Sequence, residues 1–200
     1  MPKLVDAEVQ RSLIAQAAIE VIGASGLEDA RLRDVARAAG VTTGAVTHYF
    51  DSKDEVLLAA LDEIVQRILR RAPKATPGLG LDDALFEMAY ENLPLDPERR
   101  AEWRVWLAFW GGAMGDEQLR ARHRDYYVRM VGQLAEALAA VGGVSPEDAN
   151  RLADAVVAAV DGIGARATLE PEFWPASRQR EALAILIKPL LAHLSSAAAP

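Results

Sequence analysis

Two short stretches, Asp96-Pro97-Glu98 and Ser145-Pro146-Glu147, each set a capping side chain directly before a proline. An oxygen at that place satisfies a backbone amide that the first turn of a helix leaves orphaned. Proline at the first helical position loses nothing, because its missing N–H would have had no partner. Both stretches therefore read as helix starts, and Ser52-Lys53-Asp54-Glu55 adds a third in capping-box form. Between such starts the apolar residues recur at helical spacing, and no period-2 alternation bounded by turn residues persists long enough for a sheet. The chain is predicted to be all-α, with about nine helices.

In the front part, Ile14, Ala17, Ala18, Val21 and Ile22 give an amphipathic helix over 6–25, with Gly23 and Gly26 framing its end. Leu32, Val35, Ala36 and Ala39 give a short second helix stopped by Gly40, since glycine takes the left-handed conformation of a sharp turn at little steric cost. Thr42 is the expected N-cap of a third helix of two turns, with Ala45 and Val46 facing inward. A fourth runs from Ser52 through Leu57, Leu61, Ile64 and Val65 toward Arg71, and Pro73-Lys74-Ala75-Thr76-Pro77-Gly78 breaks it. Behind that break helices are expected over 81–92, 97–114, 117–141, 146–167 and 177–194.

Several functions drop out early. There is no cysteine, so neither disulfides nor thiolate metal sites are available. The three histidines stand far apart at 48, 123 and 193, and no metal site is expected. No nucleophile elbow, phosphate loop or carboxylate dyad is present, so no enzyme activity and no cofactor are expected. No apolar run approaches the roughly 18 residues of a membrane span, and the first ten residues carry acids where a signal peptide would be apolar. The expected location is cytoplasmic, with no membrane partner.

A net charge of −7 argues, taken whole, against a nucleic-acid partner. Its distribution reverses the argument. Residues 31–53 hold four cations, Arg31, Arg33, Arg37 and Lys53, against Asp34 and Asp51, a net of +2, which leaves −9 on the rest of the chain. Within this stretch lies AGVTTGAVTHYF, residues 39–50, whose three threonines, histidine and tyrosine suit neither a core nor a plain solvated face. A short helix, a glycine turn and a second short helix, braced by a longer one, make the helix-turn-helix arrangement whose second helix enters the DNA major groove. Hydroxyls and a ring N–H bond phosphates and base edges, while Lys53 adds a point charge. The competing reading is an ordinary helical corner with Tyr49 and Phe50 packed inside. Phe50 is expected in the core either way.

RLRDVARAAGVTTGAVTHYFDSKDEVLL, residues 31–58, closely resembles the DNA-binding segment of TetR-family transcriptional regulators. That family combines an alanine-glycine-valine turn, a tyrosine-phenylalanine pair and a Ser-Lys-Asp/Glu start to the next helix. The likeness reaches back through Ile14, Ala17 and Gly26, covering about the first 60 residues. Histidine at position 48 in GVTTGAVTHYF is similar to the BetI-like subgroup that controls choline-to-betaine synthesis, as is Val160-Asp161-Gly162-Ile163. The resemblance implies a helix-turn-helix DNA-binding domain over 1–55 and a ligand-binding and dimerisation domain over 56–200. It also implies that Arg33, Thr43 and Gly44 lie closest to base edges, and that Thr42, Thr47, His48, Tyr49 and Lys53 hold phosphates. One departure stands out, because only Lys3 and Arg11 offer positive charge near the start of helix one.

In the rear part Trp103, Trp106, Trp110 and Met114 fall on one helical face, and His123, Tyr126, Tyr127 and Met130 on a face of the next helix, with Met88 and Trp174 as further candidates. Such stripes read first as core. The resemblance turns them into the lining of a small-molecule effector pocket, in which aromatic rings near a carboxylate would also cage a quaternary ammonium. Val156, Val160 and Ile163 pair with Leu183, Ile187 and Leu190 as a candidate surface for a homodimer. The function implied is a ligand-responsive regulator, a repressor, that binds a palindromic double-stranded DNA operator as a dimer. The alternatives are an all-helical protein-binding adaptor that uses the aromatic groove, or a helical enzyme.

Overall fold

The structure, a computed structural model, describes residues 3–71, 81–141 and 144–197. Among them are nine helices and no strand: α1 Lys3–Asp29, α2 Leu32–Ala38, α3 Thr43–Tyr49, α4 Lys53–Arg71, α5 Leu81–Tyr90, α6 Pro97–Gly115, α7 Glu117–Val141, α8 Pro146–Leu169 and α9 Ala176–Ala197. The break expected at Pro73–Gly78 lies outside the described residues. The starts behave as their chemistry requires. Asp96 accepts from the Arg99 amide at 2.8 Å, Ser145 Oγ from the Asp148 amide at 3.1 Å, and Ser52 Oγ from the Glu55 amide at 3.1 Å. Glu55 completes its box by accepting from the Asp51 amide at 2.9 Å.

Two compact units are present, Met1–Arg67 with Asp96–Arg120, and Ile68–Leu95 with Ala121–Pro200. The segment 1–55 sits wholly within the first, which also takes in α4 as far as Arg67 and all of α6.

In the first unit α1 packs against α2, α3 and α6. Gly26 breaks its helical path at φ 79°, ψ 166°, a region reserved almost wholly for glycine. Gly23 does something else. A Cβ there would stand 2.7 Å from the Ala101 Cβ and 2.9 Å from its Cα, so the missing side chain is what lets α6 approach α1. Arg104 fastens the crossing by donating to the Gly23 carbonyl at 2.6 Å. Arg67 on α4 pairs with Glu98 at 3.0 Å and with the buried Glu102 at 3.2 Å, both on α6.

In the second unit α8 packs along α9, and α5 lies against both. The seam is apolar: Leu152, Val156, Val160 and Ile163 of α8, Leu183 and Ile187 of α9, and Leu85 and Met88 of α5 are all buried.

A candidate DNA-binding face and a half-buried carboxylate

The face at α2 and α3 is built from a turn outward. Gly40 takes φ +68°, and the Val41 amide reaches back to the Ala36 carbonyl at 2.9 Å, closing the corner. Thr42 then caps α3, its Oγ1 accepting from the Ala45 amide at 3.1 Å. Ala36, Val46 and Phe50 are buried beneath. With that side fixed inward, Thr42, Thr43, Gly44, Thr47 and His48 are exposed on the other, and Tyr49 is half-buried. Arg33 is exposed nearby, 3.9 Å from Asp34, and Arg37 holds the same carboxylate at 3.2 Å.

The individual donors differ. Thr42 uses its oxygen as an acceptor, so its hydroxyl hydrogen is free to point outward. Thr47 instead donates back into its own helix, to the Thr43 carbonyl at 3.3 Å and the Gly44 carbonyl at 3.2 Å. A Cβ built on Gly44 would meet only Thr42 Oγ1, at 3.8 Å, so the fold leaves that spot open. Lys53 donates one of its three hydrogens to the Glu28 carbonyl at 2.9 Å. Arg11 donates to the Tyr49 carbonyl at the end of α3, with its guanidinium carbon 4.4 Å from the centre of the Phe50 ring.

The aromatic residues divide between the two units. In the first, Trp103 and Trp106 are buried, and Trp110 meets Trp103 edge-on with ring centres 6.4 Å apart. The Trp110 indole N–H is buried with no acceptor among the described residues. Met114, on the same helix, is 79% exposed. In the second unit Met88 and Tyr126 are buried, and Met130 is half-buried. His123 stacks on Tyr127 with ring centres 4.3 Å apart, and the Tyr127 hydroxyl donates to Asp161 Oδ2 at 2.7 Å. Burial pushes the Asp161 carboxyl up to about 6, although the Tyr127 bond works against the shift. Burial also draws His123 below the ordinary histidine value. Trp174 is held at the join of α8 and α9, with the guanidinium groups of Arg166 and Arg178 at 4.8 and 4.7 Å from its ring centre.

Residues 14–60 match the family described as bacterial regulatory proteins, tetR family, and residues 82–192 match the BetI-type transcriptional repressor, C-terminal, family. The second match alone spans more than half of the chain. The chain belongs to the TetR family of transcriptional regulators. A relative, the HTH-type transcriptional regulator BetI of Vibrio vulnificus, is 31% identical over 186 residues, covering 90% of this chain and 91% of its own. A solved transcriptional regulator from Rhodococcus superposes with a TM-score of 0.79 at 34% identity, over 92% of this chain and 96% of that one. Another, from Saccharomonospora viridis in complex with choline, has a TM-score of 0.74 at 25% identity, over 89% and 95%. This TetR-family member is a DNA-binding transcription regulator and not an enzyme, and its C-terminal part is of the repressor type.

For the TetR-family regulator three features go beyond the sequence reading. Asp161 is one; the signal for it was a single carboxylate inside the apolar run VVAAVDGIG. Arg11 is the second, and nothing in helical spacing pairs it with a carbonyl 38 residues away. The third concerns the expected dimer surface. Val156, Val160, Ile163, Leu183 and Ile187 are buried within one chain, while the side chain of Leu190 lies outside the described residues. In α8, α9 and the loop between them, the exposed large apolar side chains are Leu169, Phe173, Ile185 and Leu186.

Proposed function

We propose that this TetR-family regulator works in the cytoplasm as a homodimer, binding a near-palindromic operator through α3 and releasing it when a small cationic effector binds. The observation that carries the reading is the exposed row Thr42, Thr43, Gly44, Thr47 and His48, lifted by Gly40 and backed by buried Val46 and Phe50. Arg33, Thr43 and Gly44 read base edges, and Gly44 lets the backbone come close. Thr42, Thr47, His48, Tyr49 and Lys53 hold phosphates. Lys53 keeps two ammonium hydrogens for a phosphate after its bond to Glu28, whereas Thr47 must rotate away from its own helix to donate.

Two copies related by a two-fold axis would set their α3 helices about 34 to 36 Å apart, or a multiple of a helical turn, which demands a near-palindrome. The outer apolar residues of α9, Ile185 and Leu186, are the surface available for the second copy.

The effector's class follows from Asp161. A half-buried carboxylate that receives a hydrogen bond from Tyr127, beside a stacked tyrosine and histidine, suits a positively charged guest, and rings lend a quaternary ammonium further attraction. The choline found in the Saccharomonospora viridis regulator supports that class. Such a guest relieves repression only if it prefers the geometry that does not bind DNA. The deciding experiment selects bound fragments from the host's genomic DNA and measures the anisotropy of one labelled fragment against rising choline or betaine aldehyde. Sequence-specific binding that these cations reverse is the expected result. Equal binding to random DNA overturns the operator reading, and indifference to every cationic amine overturns the effector class.

A further inference from the structure

The DNA-facing helix has only seven residues, far below the roughly 12 to 15 that an isolated helix needs to persist in water, so its direction is set by what holds it. At its start are the Gly40 turn and the Thr42 cap. In its middle Val46 is sunk in the core, and Phe50 follows immediately after its end. Apolar contacts of this kind fix how deep the helix sits but are not directional. The carbonyls of the last turn need other partners, and an arginine near a helix end can supply one. Here Arg11, from α1, donates to the Tyr49 carbonyl, and its guanidinium carbon stands over the Phe50 ring, 4.4 Å from its centre, within cation–π range.

From this we infer that Arg11 is a positioning residue for DNA recognition: it orients the turn bearing Thr47, His48 and Tyr49 by gripping the end of α3, and does not itself hold a phosphate. This rests on α3 being the helix that meets DNA. Lys53 makes the complementary tie, from the start of α4 to the Glu28 carbonyl near the end of α1, so both flanks of the segment are strapped to the same long helix. The two cations differ in where they are held. Lys53 stands at the start of α4 and is tied only through its ammonium, whereas the Arg11 guanidinium is placed between the Tyr49 carbonyl and the Phe50 ring.

The test compares wild type with Arg11→Met, which keeps an apolar stem over Phe50 but no donor and no charge, and with Arg11→Lys, which keeps both. Amide hydrogen exchange of residues 46–50 reads the brace without any DNA, and should quicken about tenfold in Arg11→Met while the middle of α1 is unchanged. Unchanged exchange overturns the inference, whether or not the protein binds DNA. Affinity is then measured for a fragment selected by the wild-type protein and for random duplex, across a series of salt concentrations. The preference for the selected fragment should fall about tenfold in Arg11→Met with the salt slope intact, and Arg11→Lys should restore most of it. A slope reduced by about 0.9, with equal losses on both duplexes, would make Arg11 a phosphate contact instead. Should Arg11→Met not fold, Arg11→Leu, which also lacks donor and charge, takes its place: quickened exchange at 46–50 with the preference lost at full salt slope supports the brace, and unchanged exchange refutes it. If the wild-type protein selects no sequence, the operator reading falls while exchange still decides the brace.

Discussion

At the scale of the residue, Asp161 holds a carboxyl where the fold would rather have none. Its folded value, about 6, lies above that of a free carboxyl, so the folded chain grips the proton more tightly than the unfolded one does. The associated stability is fully present below the unfolded value near 4 and is lost as pH rises through about 6. Replacing it by Asn, which still accepts from Tyr127, should therefore raise stability at pH 8 by up to about 3 kcal/mol and change nothing below pH 4. Thermal unfolding across that range checks both ends. The same variant should lose cation binding at pH 8, and the wild type should weaken toward cations as pH falls below 6; isothermal titration reads each. A destabilising charge at a half-buried place is consistent with the cation site proposed above. In the first unit, Lys53→Ala should weaken binding to every duplex and flatten its salt dependence, whereas Thr43→Ala should change which operator is preferred. Competition between the selected operator and random DNA separates the two.

At the scale of the element, the starts of the helices could be read directly because their chemistry is local. A capping oxygen, a proline and a glutamate three residues on act within one turn, and α3, α4, α6 and α8 begin where those residues stand. The exposed side of α3 was legible for a similar reason, since Val46 and Phe50 inward leave Thr43, Thr47 and His48 outward on a helix of known pitch. What spacing could not give was contact between distant segments. Gly23 read as the punctuation of α1, yet its helix continues past it and Gly26 makes the break. Its job, admitting Ala101 of α6, depends on a neighbour 78 positions away. Gly23→Ala should consequently destabilise the first unit by about 1–3 kcal/mol through overpacking, although alanine is the better helix former. Chemical denaturation would show it, and an unchanged midpoint would mean that α6 shifts freely. The apolar stripes of α8 and α9 left a question of the same kind. Periodicity finds a buried face but does not say whether the chain itself or a second copy buries it.

At the scale of the whole molecule, that distinction gives a clean experiment. Ile185→Asp with Leu186→Asp, on the outer side of α9, should turn a dimer into a monomer at micromolar concentration by light scattering, with the helical content kept. Leu183→Ala, on the inner side, should cost about 2–5 kcal/mol of folding stability instead. The first unit is assembled from two pieces of chain, Met1–Arg67 and Asp96–Arg120, with other residues threaded between them. The groove at Gly23 is closed only by the later piece. A reading head of this design is not a detachable cartridge. Cutting the gene after α4 and grafting the front onto another protein would leave α1 with a bare slot at Gly23, so a transplant that keeps its fold has to carry the sixth helix along.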